Sequence, residues 1–333
     1  MPLPFILGGL ALAAAGYGVK KGVDAKDDFD TAERYNRRAE RIYDEAKDNL
    51  ESKKEKTDAE LQNLGKLKVD IYENSLKEFS NTFGKIKNID FEDNLERGTL
   101  NSVDEQDVLD IQDTVLKMEE ILGGGVTALG SGALAGFGAL GGVGMLASAS
   151  TGTAIASLSG AAATNATLAW LGGGALSAGG FGMAGGMAVL GGIVAGPVLA
   201  VGGMMMASKA EEAKHTAYAN YDKAKAAVEQ MHSASVVLDG IYKRVEEFIE
   251  ILEPINIELE EKLVRLKEIV NNSNDWRAYG QEEKETVMTT ASIAKTVKNI
   301  CDVPIIDENG EVTKKSKTVL NKVKDLTQKL NEV

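Results

Sequence analysis

Two glycine motifs in the middle of the chain have the spacing of a phosphate-binding loop. They are Gly-Phe-Gly-Ala-Leu-Gly at 136–141 and Gly-Phe-Gly-Met-Ala-Gly at 180–185, and both match the pattern G-x-G-x-x-G. A dinucleotide site also needs a strand before the loop and an acidic residue about 20 positions after it, which binds the ribose. No acidic residue follows either motif before Glu211, and the surrounding stretch has no lysine for a P-loop. The sequence therefore predicts no nucleotide site.

The other reactive side chains are few and far apart. His215 and His232 are 17 positions apart on one predicted helix, which is too far for a shared metal ion. Cys301 is the single cysteine of the chain, and no histidine partner is predicted for it. The sequence Asp-Glu-Asn-Gly at 307–310 resembles the start of a calcium loop, but the spaced acids and the closing glutamate are missing. We therefore predict no catalytic residues, no metal site and no cofactor, and we do not expect an enzyme.

The charged residues are distributed unevenly, and this divides the chain into domains. From residue 121 to residue 208 there is no Asp, Glu, Lys, Arg or His, and these 88 residues hold 25 of the 36 glycines and 20 alanines. The flanking arms carry the net charge of −13. Nucleic-acid binding needs clustered Lys and Arg, so we expect no nucleic-acid partner. One cysteine allows no intrachain disulfide, which fits a cytoplasmic protein.

Small residues recur at every fourth position of the uncharged stretch. The glycines in these sets are Gly124, Gly132, Gly136, Gly174, Gly182, Gly186, Gly192 and Gly196. Residues four apart lie on one face of a helix, and faces of small residues let helices approach closely in lipid. We predict a glycine-zipper hairpin with arms at 121–147 and 168–208, packed through these glycines and anchored at the membrane interface by Trp170. The alternative is a hairpin that is permanently buried between the amphipathic arms.

Heptad spacing of apolar residues predicts long helices on both sides of this hairpin. In the arm 23–120 one heptad frame holds the apolar seam, which then shifts to Leu76, Phe79, Phe83 and Ile86. The residues of the first frame are Phe29, Ala32, Ala39, Tyr43, Ala46, Leu50, Leu64, Leu67 and Ile71. Such a shift is a stutter, which changes the winding of a coiled coil. Residues 89–101 are predicted as a loop, and a capping box at 102–105 opens a further helix with Val108, Ile111, Val115 and Met118 on its apolar face.

The second arm, 209–270, has the stronger coiled-coil pattern. Its seam is spaced by sevens and has partners four positions further on. The seam residues are Ala210, Ala217, Ala224, Met231, Leu238, Val245 and Leu252, and the partners are Tyr221, Val228, Tyr242 and Ile249. We expect Pro254 to kink or end this helix. Residues 271–333 are predicted as C-terminal helices, one at about 281–301 and a last one ending near Leu330.

Residues 1–22 form an apolar N-terminal segment. Its 17 uncharged residues, 3–19, precede Lys20 and Lys21. As a helix they would span about 26 Å, slightly less than a bilayer core. No positive charge precedes the apolar run, which favours a marginal anchor or a buried helix over a cleaved signal peptide.

Long charged helices around a central glycine-rich apolar hairpin resemble the α-helical pore-forming toxins of the cytolysin A and haemolysin BL type. The layout is also similar to that of bacterial glycine-zipper proteins of unknown function. The resemblance implies an all-α, elongated helical bundle whose hairpin is shielded at first and then inserts into a lipid membrane, oligomerising to form a pore or lesion. The alternative is a non-enzymatic scaffold whose coiled-coil arms bind helical partners. We expect membrane association, with the charged arms on the cytoplasmic side.

Overall fold

The computed structural model describes residues 19–91, 103–121, 131–141, 210–307 and 310–331, and within these ranges the fold is all-α with no β-strand. The predicted fold class is confirmed. The helices in chain order are α1 (Val19–Ile71), a π-helical segment (Tyr72–Leu76), α2 (Lys77–Phe83), α3 (Glu105–Ile121), α4 (Ser131–Leu140), α5 (Ala210–Asn272), a 3-10 turn (Trp276–Ala278), α6 (Gln281–Cys301) and α7 (Lys314–Asn331).

The described residues form two compact units, and α1 and α5 contribute to both. The first unit combines 19–54 with 210–238. Its two helices run parallel, because Asp28 pairs with Lys214 at 2.8 Å and, further along both helices, Asn36 accepts a hydrogen bond from Asn220 at 3.1 Å. Its core cluster consists of Tyr43, Leu50, Ala227, Met231 and Ala234, of which Tyr43, Leu50 and Met231 belong to the predicted seams. The predicted seam residue Phe29 is instead 37% exposed.

The burial of α5 corrects one detail of its predicted seam. The series Ala217, Ala224, Met231, Val245 and Leu252 is buried as expected, but Leu238 is only half-buried, as are the four proposed partners at 221, 228, 242 and 249. The buried partners come three positions after the seam instead of four: Ala227, Ala234, Ile241 and Phe248. In a heptad the two core positions are separated alternately by three and by four residues, so a repeat of seven does not by itself choose between the two frames.

The stutter after Ile71 coincides with the π-helical segment in the second unit. A π-helical turn accommodates one extra residue, and this rotates the apolar face of the residues that follow. Leu76, Phe79, Phe83 and Ile86 are all buried after the shift, as the sequence predicts. The ring centroids of Phe79 and Phe83 lie 5.1 Å apart.

Helix α3 begins two residues later than its predicted capping box. The reciprocal cap uses Asp104 and Asp107: the Asp107 N–H donates to Asp104 Oδ1 at 2.8 Å, and the Asp104 N–H donates to Asp107 Oδ2 at 3.0 Å. The predicted apolar face of α3, Val108, Ile111, Val115 and Met118, is buried. Helix α3 contacts the π-helical segment, α2 and α6.

Helix α5 continues through Pro254 to Asn272, so of the two predicted effects of the proline, a kink or the end of the helix, the second is wrong. Pro254 and Glu250, the residue one turn before it, are both exposed. The backbone carbonyl that loses its intrahelical partner is therefore on the solvent side, where water can replace the missing N–H.

The C-terminal part of the second unit follows the predicted helices closely. Helix α6 covers Gln281–Cys301 and α7 covers Lys314–Asn331. Between them, Ile306 and Val312 form an isolated antiparallel bridge, and Gly310 has a φ of 80°, which suits the tight turn predicted there.

Candidate functional site

Helix α4 is the described part of the uncharged stretch, and it lies inside the second unit. It contains two of the predicted packing glycines, Gly132 and Gly136, and residues 134–139 are all buried. The other predicted packing glycines and the interfacial anchor lie outside the described residues: Gly124, Gly174, Gly182, Gly186, Gly192, Gly196 and Trp170.

The contact between α1 and α4 depends on two other glycines, Gly65 and Gly138. A Cβ atom at position 65 would lie 2.0 Å from the carbonyl oxygen of Leu134, and one at position 138 would lie 2.1 Å from the carbonyl oxygen of Leu61. Real Cβ atoms are not found at such distances, so the two backbones touch directly. Gly138 falls outside the predicted sets of every fourth residue. The sequence-based prediction missed Gly65. A glycine inside a long helix lowers the stability of that helix, and this cost is a signal that the position packs closely against another element.

Helix α4 ends at Leu140, which contradicts a continuous helical arm over 121–147. Gly141 has a φ of 79°, and a Cβ there would lie 2.5 Å from the carbonyl oxygen of Asp302. The left-handed conformation and the close approach both require glycine, and together they place the end of α4 against the C-terminal end of α6.

The last carbonyl groups of α4 are hydrogen-bonded to other elements. The Gly138 carbonyl accepts a hydrogen bond from Lys68 Nζ at 3.1 Å, and the Ala139 carbonyl accepts from the Ile305 and Ile306 N–H groups at 2.7 and 3.3 Å. A helix leaves its final carbonyls without intrahelical partners. The bundle therefore satisfies the C-terminal end of α4 with a cation and two backbone donors.

Lys68 is the least expected residue of this site, because it is fully buried. Its Nζ lies 5.9 Å from the ring centroid of Phe248, within reach of a cation–π contact. Burial lowers the pKa of Lys68 to about 8, while Cys301 and Asp302 favour its charged form. Lys68 lies four residues after Leu64 and three before Ile71, so its place on the apolar seam was the signal that could have identified it.

Polar groups from α6 and from Asp302, which follows it, complete the cluster around Lys68. Asp302 accepts a hydrogen bond from the Tyr72 hydroxyl at 2.6 Å and pairs with Lys298 at 3.0 Å. Lys298 also pairs with Asp110 of α3. Burial alone would lower the pKa of Lys298, but its hydrogen bonds to these two carboxylates raise it. Burial, with help from nearby negative groups, raises the pKa of Tyr72 well above its usual value.

The groups of this cluster bind one another and the end of α4. Burial raises the pKa of the Cys301 thiol to about 12, against the opposing effect of Lys68, so the nucleophilic thiolate is disfavoured. In the described part of the chain, no three His, Cys, Asp or Glu side chains lie close enough to hold a metal ion. The cluster does provide a positively charged hydrogen-bond donor, the Lys68 ammonium group, at the carbonyl end of α4.

None of the described helices combines the length and apolar character needed to cross a bilayer. No protein-family model, curated protein or solved structure matches this chain.

Proposed function

We propose that this is a membrane-active helical protein, in which the uncharged stretch 121–208 enters lipid and assembles through its glycine faces into a pore or lesion. In this proposal the second unit holds the start of that stretch, helix α4, away from water until the protein meets a membrane. The observation that carries the proposal is the docking of α4 on α1 through Gly65 and Gly138. An apolar segment that is shielded by amphipathic helices is what a protein needs if it is to be stable in water before insertion.

The docking contact also suggests how release could work. The two backbones touch at glycines, but release of α4 also has to withdraw the buried side chains of Leu134 and Phe137, whose ring meets Tyr72 edge-on at 6.1 Å between centroids. The bonds to be broken are the Lys68 contact to Gly138 and the two backbone bonds to Ala139. Hydrogen bonds of this kind contribute about 1 kcal/mol each, which membrane binding of a long apolar segment can offset.

Dye release from liposomes tests the proposal. We expect the wild-type chain to release dye, and Gly138→Val to release it faster because the added side chain forces α4 off α1. Gly240→Val is the matched control, since a Cβ at position 240 meets nothing within 4 Å. If none of the three proteins binds vesicles, the proposal is wrong.

The same burial of α4 favours a second candidate, a non-enzymatic scaffold in which the stretch stays in the core and the coiled-coil arms bind helical partners. In that case Gly138→Val lowers stability without adding membrane activity. Vesicle binding without leakage by the wild-type chain would indicate a membrane-anchored form of this scaffold.

A further inference from the structure

A basic and aromatic cavity in the first unit belongs to no site described above. It has a volume of about 470 Å³ and is lined by Thr31, Arg34, Tyr35, Arg38, Lys214 and Tyr218. Three of these six residues are cationic and none is acidic, in a chain with a net charge of −13. The cavity is open to solvent.

The sequence concentrates arginine at this place. Four of the eight arginines of the chain lie within residues 34–41. Arg34 and Arg38 line the cavity, whereas Arg37 and Arg41 do not and instead pair with Glu33 and Glu45 on their own helix. The guanidinium group is suited to phosphate because its planar set of donors matches two phosphate oxygens at once.

Tyrosine rings hold the arginine side of the cavity in place. The ring of Tyr35 meets Tyr218 edge-on at 4.4 Å and Tyr221 at 5.5 Å between centroids. The Arg38 guanidinium lies 5.3 Å from the centre of the Tyr221 ring, within reach of a cation–π contact. On the opposite wall Lys214 pairs with Asp28, so an anion in the cavity has to share this lysine with the Asp28 carboxylate.

The position of the cavity indicates the source of the anion. Helix α5 is described from Ala210, two residues after the uncharged stretch ends at Ser208, and α1 is described from Val19, within the apolar N-terminal segment. Because the two helices run parallel in this unit, both apolar segments join it at the same end. Lys214 and Tyr218 lie four and eight residues into α5, or about 6–12 Å from its start at the usual helical rise. Tyrosine and basic residues beside an apolar segment are typical of the bilayer interface.

We propose that this cavity binds the phosphodiester headgroup of an anionic phospholipid, with Arg34 and Arg38 on the phosphate and Lys214 as a further cation. This inference rests on the proposed membrane function and adds its lipid specificity. The tyrosine hydroxyls at the cavity wall provide the donors that an adjoining glycerol group would use.

The test compares two double variants with the same loss of charge. Arg34→Gln with Arg38→Gln removes the cations that line the cavity, and Arg37→Gln with Arg41→Gln removes two from the same turns of α1 but outside it. Full-length proteins are sedimented with vesicles of phosphatidylcholine alone or with phosphatidylglycerol added. We expect the first variant to bind the anionic vesicles at least tenfold more weakly than the second. Equal losses of vesicle binding in both variants would mean that the arginines act only by unspecific attraction to the charged membrane, and this would overturn the inference.

Calorimetry with a soluble short-chain lipid separates this inference from the proposed function. If the wild-type chain binds no vesicles, the proposed function fails, but the cavity can still be tested with dihexanoyl phosphatidylglycerol. Binding that is lost in Arg34→Gln with Arg38→Gln supports the inference, and no binding by the wild-type chain overturns it. Inorganic phosphate is titrated in parallel. If it binds as tightly as the short-chain lipid, the ligand is free phosphate and the lipid assignment is wrong.

Discussion

Replacing Gly65 by alanine tests the contact on which the docking of α4 depends. The added methyl group would lie 2.0 Å from the Leu134 carbonyl oxygen and 2.7 Å from its carbon. Both atoms are backbone, so no side-chain rotation relieves the clash. Helix α4 has to retreat by about 1 Å before the oxygen reaches a distance at which Cβ contacts are observed.

The magnitude follows from two opposing effects. Alanine is the better helix former, which would stabilise α1 by about 1 kcal/mol. Overpacking against backbone costs about 1–3 kcal/mol, and a shift of α4 also weakens the hydrogen bonds to Gly138 and Ala139, at about 1 kcal/mol each. We therefore expect a net loss of about 2 kcal/mol. At Gly240, where a Cβ meets nothing within 4 Å, the same substitution has only the favourable effect and should stabilise α5.

Hydrogen exchange measured by mass spectrometry gives the clearest readout, because it reports α4 separately from the rest of the chain. We expect amides of 131–140 to exchange roughly 30-fold faster in Gly65→Ala, as a loss of about 2 kcal/mol implies. In Gly240→Ala the same amides should be unchanged. Exchange in α4 that is unchanged or slower in Gly65→Ala would refute the reasoning, since the two backbones could not then be in contact.

Three further predictions concern the buried cluster and the uncharged stretch. Lys68 has a pKa of about 8 in the folded chain and a higher one when unfolded, so the unfolded chain binds more protons between these values and stability rises with pH. Urea unfolding should show wild type gaining about 1 kcal/mol relative to Lys68→Met between pH 7 and pH 9, and parallel curves would contradict this. Because Cys301 is buried with a pKa of about 12, a disulfide reagent at pH 8 should label it only on unfolding; rapid labelling of the folded chain would show that it is accessible. Gly182→Leu or Gly186→Leu should abolish crosslinked oligomers on vesicles without changing the helical circular dichroism, and unchanged oligomers would exclude packing through this face.

Much of the helical pattern could be predicted because it depends on neighbouring residues. The burial of Ala217, Ala224 and Met231 follows from a repeat of seven, and α6 begins and ends where its apolar pattern does. The errors at this level were small and local. The N-terminal cap of α3, for example, lies two residues after its predicted position. The sequence left open whether Pro254 kinks or ends its helix, because exposure of the freed carbonyl, which decides whether a helix tolerates proline, is a property of the folded chain.

The sequence by itself determined the fold class, the heptad seams and the uncharged stretch, since composition and periodicity are enough to define them. Only the tertiary structure decided that Gly65 and Gly138 meet, because they are 73 positions apart and neither belongs to a repeat that the other shares. The same is true of Lys68. Its place on an apolar face can be read from the sequence, but its hydrogen bond to the carbonyl end of α4 depends on the tertiary structure. Helical periodicity is imposed by the local backbone, whereas a close contact between helices depends on which distant element the packing brings there.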